Sequence, residues 1–119
     1  MPNALIAILP CNDLDASEAF YARLGFRRHD SDVGTYRILS NSGGGELHLV
    51  AAPADWLVAG RNPFGLYFYT EDVDALAARL GIVPADKPWG MYEFSLSDPD
   101  QTLVRVGWPS RLRAAGRLR

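Results

Sequence analysis

The chain has 119 residues, 48% of them apolar, and a formal net charge of −2, which is enough for one domain with a real core and too little for two independent ones. Its longest early apolar run, Ala4 to Leu9, has no basic flank and is far too short to span a bilayer, so neither a leader nor a membrane contact is expected and the protein reads as cytoplasmic. Four of the twelve basic residues (Arg111, Arg113, Arg117, Arg119) fall in the last ten, leaving the first 109 residues with eight basic against fourteen acidic side chains. An acidic body disfavours nucleic acid as a partner and favours cationic ligands.

In chain order, Ala4 to Leu9 reads as a buried strand stopped by Pro10. The single Cys11 has no partner for a disulfide and no motif for thiol chemistry, and reads as a buried or half-buried loop residue with no chemistry. A helix follows, N-capped by Asp15 with Glu18 as capping-box partner, with Phe20 and Leu24 on one face and Gly25 at its end. Strands are predicted near Phe26 to His29, Thr35 to Leu39 and Leu47 to Ala51, with Asn41 to Gly45 as a hairpin turn. His29 beside two arginines reads as a surface residue. Residues 53–63 form a linker. Beyond it come a strand at Leu66 to Thr70, a helix at Val73 to Leu80 capped by Asp72, and strands near Val83, at Met91 to Leu96 and at Thr102 to Gly107. Asp98-Pro-Asp100 reads as turn chemistry rather than a carboxylate pair, and the last ten residues as a solvated or dimer-contacting basic tail.

The second half repeats the first. Asp13-Leu-Asp-Ala returns as Asp72-Val-Asp-Ala, an offset of 59, and Ala22-Arg-Leu-Gly returns as Ala78-Arg-Leu-Gly, an offset of 56. The turn and strand from Asn41 to Val50 align with Asp98 to Gly107 at an offset of 57. Near-equal offsets predict two copies of one supersecondary unit. The fold is therefore α+β, two βαβββ modules at about 1–52 and 64–109 within a single domain 1–119, followed by the basic tail 110–119.

Alternation puts Leu47 and Leu49 on one face of their strand and Glu46, His48 and Val50 on the other. In the repeat, Val104 and Val106 fall on the aliphatic face and Arg105 on the opposite one. The aliphatic faces pack the helices, so His48, Arg105, Tyr67 and Tyr69 point to the open face.

Two segments carry a family resemblance. Lys87-Pro-Trp-Gly-Met-Tyr-Glu-Phe-Ser-Leu-Ser-Asp-Pro-Asp-Gln-Thr-Leu-Val-Arg-Val106, together with Asp13-Leu-Asp-Ala-Ser-Glu-Ala-Phe-Tyr-Ala-Arg-Leu-Gly-Phe26, resembles the bleomycin-resistance proteins of the vicinal-oxygen-chelate superfamily. The resemblance implies a curved mixed sheet around a cavity, a homodimer with grooves between subunits, and a tryptophan stacked on a planar drug, here Trp89, with Glu93 nearby. The family's second ring falls near Val33, where this sequence is not aromatic, and Tyr36 is the candidate substitute. Trp56 and Trp108 read as core or dimer-contact residues. The metal-dependent members place their ligands at positions corresponding to Ile6, His48, Gly65 and Arg105; only one of these can donate a lone pair to a cation, so no metal and no cofactor is expected.

The resulting expectation is a non-catalytic protein that sequesters a planar, cationic antibiotic, with Trp89, Tyr67, Tyr69, Tyr36, Glu93, Arg105 and His48 as ligand-binding residues. A glyoxalase- or dioxygenase-like metal enzyme and a peptide-binding module are the alternatives.

Overall fold

The computed structural model describes residues 3–29 and 34–117. Val33 lies outside the described residues. The chain divides into two compact units, Met1–Asn62 with Pro99–Gln101, and Pro63–Asp98 with Thr102–Arg119.

The first unit runs β1 (Ala7–Cys11), α1 (Leu14–Ala22), β2 (Arg27–Arg28), β3 (Tyr36–Ser40) and β4 (Glu46–Ala51). Its sheet has the order β1-β4-β3-β2, with β1 parallel to β4 and the other pairs antiparallel. The second unit repeats this with β5 (Gly65–Tyr69), α2 (Val73–Leu80), β6 (Ala85–Asp86), β7 (Met91–Ser97) and β8 (Leu103–Pro109), in the order β5-β8-β7-β6. Again the first strand is parallel to the last and the others antiparallel. The fold is α+β, two βαβββ modules each building a four-stranded mixed sheet.

Period-2 alternation divides each sheet cleanly. In the first, Leu9, Cys11, Leu39, Leu47 and Leu49 are buried against α1, whose inward residues are Ser17 and Tyr21, followed by Leu24. In the second, Phe94, Val104 and Val106 are buried with Val73, Leu76 and Ala77 of α2. Each fully buried leucine or valine contributes about 1.5–3 kcal/mol relative to leaving it in water. These apolar faces fix the register, because slipping a strand by one residue would turn the leucines out and His48 or Arg105 in.

Local chemistry repeats as the offsets predict. Asn41 Oδ1 accepts from Gly45 N–H at 2.7 Å, and 57 residues later Asp98 Oδ1 accepts from Thr102 N–H at 2.9 Å. Asp98 and Thr102 are buried, so Asp98→Ala is expected to cost about 1–3 kcal/mol by stranding a buried donor. A denaturant midpoint measured at unchanged slope checks this.

Several expectations need correction. Strand β1 extends through Pro10 to Cys11, so Cys11 is a buried strand residue. As an edge strand, β1 has a side on which a missing N–H breaks no ladder. The N-cap of α1 is Asp13, which accepts from Ala16 N–H at 3.1 Å. Asp15 and Glu18 instead hold the Arg37 guanidinium of β3 at 2.8 and 2.9 Å. The inward aromatic of α1 is Tyr21, not Phe20. Asp72 caps α2 without a side-chain bond; its own N–H donates to Thr70 Oγ1 at 3.1 Å. Strand β6 forms after Pro84, leaving Val83 exposed. Trp56 is 80% exposed and is no core residue.

The basic tail is a helix, α3 (Ser110–Arg117). Ser110 starts it, its N–H donating to Gly90 O at 2.9 Å and its Oγ to Asp86 at 2.7 Å. Arg113 lies 3.7 Å over the centroid of the Tyr92 ring and 3.4 Å from Asp74. Tyr92 also donates its hydroxyl to Asp74. A cation over a desolvated ring and a carboxylate beside it hold the start of this helix against the second unit's own β7 and α2.

Candidate functional site

The second unit gathers most of the predicted site residues on the open face of its sheet. Register places Tyr67 beside Arg105, Tyr69 beside Gly107, and Glu93 across from Gly107. Between β6 and β7, Gly90 N–H donates to Lys87 O at 2.9 Å and Lys87 N–H to Met91 O at 2.7 Å. This closes a β-turn with Pro88 at its second position and Gly90 (φ +88°) at its fourth, the places those residues favour. Trp89 sits at the tip.

Glu93 is the centre. It is only 3% exposed, and its Oε1 accepts both the Tyr67 hydroxyl at 2.8 Å and the Trp89 indole N–H at 2.9 Å. Its Oε2 faces the Arg105 guanidinium at 3.9 Å, and that guanidinium lies 5.8 Å from the centroid of the Trp89 ring. A buried carboxylate needs such partners, since an unpaired charge away from water is costly. The indole is anchored through its N–H while the residue stays 57% exposed. Tyr67 and Tyr69 stack at a tilt, 5.2 Å apart, and Tyr69 meets Trp108 edge-on at 6.2 Å.

Sequence reasoning missed Gly107. A Cβ there would run into the Tyr67 hydroxyl, and would stand 2.8 Å from Glu93 Cβ and 3.1 Å from Tyr92 O. Its lack of a side chain is what allows Tyr67 and Glu93 to meet. The available signal was a glycine inside a predicted strand, which marks close approach of another group.

Loss of solvent around its hydroxyl, then the Glu93 carboxylate, push the Tyr67 phenol well above its usual range. Burial, then Asp74, raise Tyr92 as well. For a phenol held protonated by the fold, the associated stability is complete below pH about 10 and falls as pH rises toward the folded value. An ultraviolet titration is expected to show two late tyrosines, one of which disappears in Tyr67→Phe.

Tyr36 and His48 lie in the first unit. Tyr36 Oη stands 2.6 Å from His48 Nδ1, and His48 Nε2 stands 2.7 Å from Glu46 Oε2. His29 is exposed, its Nε2 2.7 Å from Ser40 Oγ. Asp100 serves the turn region rather than acid–base work, accepting from Asn12 N–H at 3.3 Å.

The side chains do not fit a divalent metal. Register sets Ile8, rather than Ile6, beside His48, and Tyr67, rather than Gly65, beside Arg105. Among the described residues no three His, Cys, Asp or Glu side chains converge, whereas such a site needs at least three donors.

Paired βαβββ modules with polar and aromatic side chains on the open sheet faces define a class of small-molecule folds. The chain belongs to the glyoxalase/bleomycin resistance protein/dioxygenase superfamily, whose profile matches residues 4–106. Among solved structures it is similar to a bleomycin-binding protein complexed with bleomycin, 26% identical, covering 90% of this chain and 98% of that one with a TM-score of 0.76. It is also similar to the antibiotic-binding protein TnmS3 from a Streptomyces strain, at 25% identity, 92% and 98% coverage and a TM-score of 0.71. The lactoylglutathione lyase of Agrobacterium tumefaciens matches at 25% identity, with 92% and 96% coverage and a TM-score of 0.67. No curated protein matches. Among the described residues no helix is long and apolar enough to cross a membrane.

Proposed function

We propose that this protein binds a planar small molecule of the antibiotic class and holds it without covalent chemistry, using Trp89 as the stacking surface. One observation carries the reading: a tryptophan that is 57% exposed while its indole N–H is pinned to a buried carboxylate. An exposed aromatic normally loses rotamer freedom when a ligand stacks on it. Here that cost has already been met by Glu93, which is the condition for tight binding by few contacts. Stacking contributes about 0.5–1.5 kcal/mol per ring pair beyond the area buried, and Tyr67 and Tyr69 extend the aromatic surface on the same strand face.

At the site itself Arg105 answers Glu93, so attraction for a cation comes from the acidic body as a whole. Bleomycin and antibiotic binding by the two relatives, and the absence of a metal-fitting donor set among the described residues, favour sequestration over the lyase chemistry of the third. We also propose a homodimer, on the family resemblance.

A thermal-shift screen against bleomycin and other planar antibiotics tests the reading. A true ligand at one hundred times its Kd should stabilise the fold by about 2.7 kcal/mol. No shift with any planar compound, alongside turnover of a thioester or hemithioacetal by metal-loaded protein, would favour the lyase class instead.

A further inference from the structure

On the open face of the first sheet three side chains form a chain of hydrogen bonds: Tyr36 to His48 at 2.6 Å, and His48 to Glu46 at 2.7 Å. Glu46 and His48 are two residues apart on β4, and so on one face; Tyr36 reaches the same imidazole from β3. The carboxylate fixes the roles, because it only accepts. His48 Nε2 must therefore carry the proton it shares with Glu46, and in the neutral ring Nδ1 must then be the lone pair that accepts the Tyr36 O–H. With its proton committed to His48, the phenol oxygen keeps lone pairs that can accept from one further donor.

We infer that Tyr36, His48 and Glu46 form a proton-accepting site for a weakly acidic aromatic hydroxyl. The neighbouring positions are apolar: register sets Ile8 and Ile38 on either side of His48, and Val50 beside Tyr36. Ile8 is 60% exposed. Hydrocarbon flanks with one outward acceptor between them suit a ring bearing an O–H better than a fully hydrated polar group. The other titratable or charged groups on this face of the unit are Glu46 itself, Arg27, which the register sets opposite Ser40, and His29, whose Nε2 is at Ser40 Oγ; β1 contributes only Ile8 and Pro10 to this face.

The transfer balances without a co-reactant. The ligand's O–H proton passes to Tyr36 Oη as the proton of Tyr36 passes to His48 Nδ1, leaving a phenolate beside the tyrosine and an imidazolium between Tyr36 and Glu46. Glu46 is the positioning residue, holding the tautomer and facing the new positive charge, as the third member of a nucleophile–base–orienter set does. The second unit cannot do this. At the sheet positions 57 residues later stand Glu93 and Arg105, and an arginine does not accept a proton.

p-Nitrophenol, whose anion is yellow, is the probe. In buffer below its own pKa, the intact protein is expected to raise the anion fraction saturably. Tyr36→Phe and His48→Gln should each abolish the rise, and Glu46→Gln should cut it several-fold. Nitrogen-15 spectra of the free protein should show the neutral form of His48 with its proton on Nε2. No rise in anion with the wild type, a rise that survives in Tyr36→Phe, or a neutral His48 protonated on Nδ1 would overturn the assignment.

Discussion

Trp89→Ala is expected to weaken binding of a planar ligand by about 1–4 kcal/mol, the range for losing an aromatic hot spot. The fold should lose far less. The residue is mostly exposed, and Tyr67 still donates to the oxygen of Glu93 that Trp89 leaves, so the stability cost is about 1 kcal/mol, one net hydrogen bond. Trp89→Phe separates the two contributions of the indole. It keeps a stacking face and removes the N–H that fixes it, so its affinity should fall between wild type and alanine. Calorimetric titration beside a melting curve decides the matter: unchanged affinity in a destabilised alanine variant would mean that the ring only packs its own turn.

Gly107→Ala should be the most disruptive single methyl in the second unit. The new Cβ is 2.8 Å from Glu93 Cβ and collides with the Tyr67 hydroxyl, so β7, β8 or the tyrosine must move. Overpacking of this kind costs about 1–3 kcal/mol, and the same shift breaks the Tyr67–Glu93 bond on which the Trp89 anchor converges. Part of the clash is with one oxygen atom, which allows a double-mutant cycle. In a Tyr67→Phe background Gly107→Ala should cost less than in wild type, whereas additive effects would show that the tyrosine is not what the methyl meets.

The site on the second unit was only half legible in the sequence. Trp89 and Glu93 stood out because a Pro-Trp-Gly turn leads into a strand, and alternation placed Tyr67 and Arg105 on one face. The paired modules were visible in the repeated Asp-x-Asp-Ala and Arg-Leu-Gly segments, since each copy faces the same packing demand and so repeats the same apolar positions. What the sequence did not reveal depends on neighbours in space. Pro10 reads as a strand end, yet an edge strand tolerates it, and edge position is a tertiary property. Asp13 and Asp15 are equally good caps by type; Asp15 is drawn away because Arg37, more than twenty residues on, needs a carboxylate. Helix α3 reads from its arginines as a solvated tail, and what seats it is the contact of Arg113 with Tyr92 and Asp74. Alternation placed Glu46 and His48 on one face, but that Tyr36 reaches the same imidazole from the neighbouring strand shows only in the hydrogen bonds.

The short segment Pro99–Gln101 belongs with the first unit although both strands flanking it belong with the second. Asp100 accepts from Asn12 N–H, its carbonyl accepts from Asn62 Nδ2 at 3.0 Å, and Gln101 Oε1 accepts from Gly60 N–H at 2.6 Å. The first unit thus draws three of its hydrogen-bond acceptors from a turn of the second repeat. A fragment of residues 1–62 would be left with donors at Asn12, Gly60 and Asn62 whose acceptors had been cut away, and one of residues 63–119 would carry a hairpin tip fitted to something it no longer has. A fragment of residues 1–62 is therefore expected to unfold at a lower denaturant concentration than the intact chain, and restoring the intact chain should recover the difference.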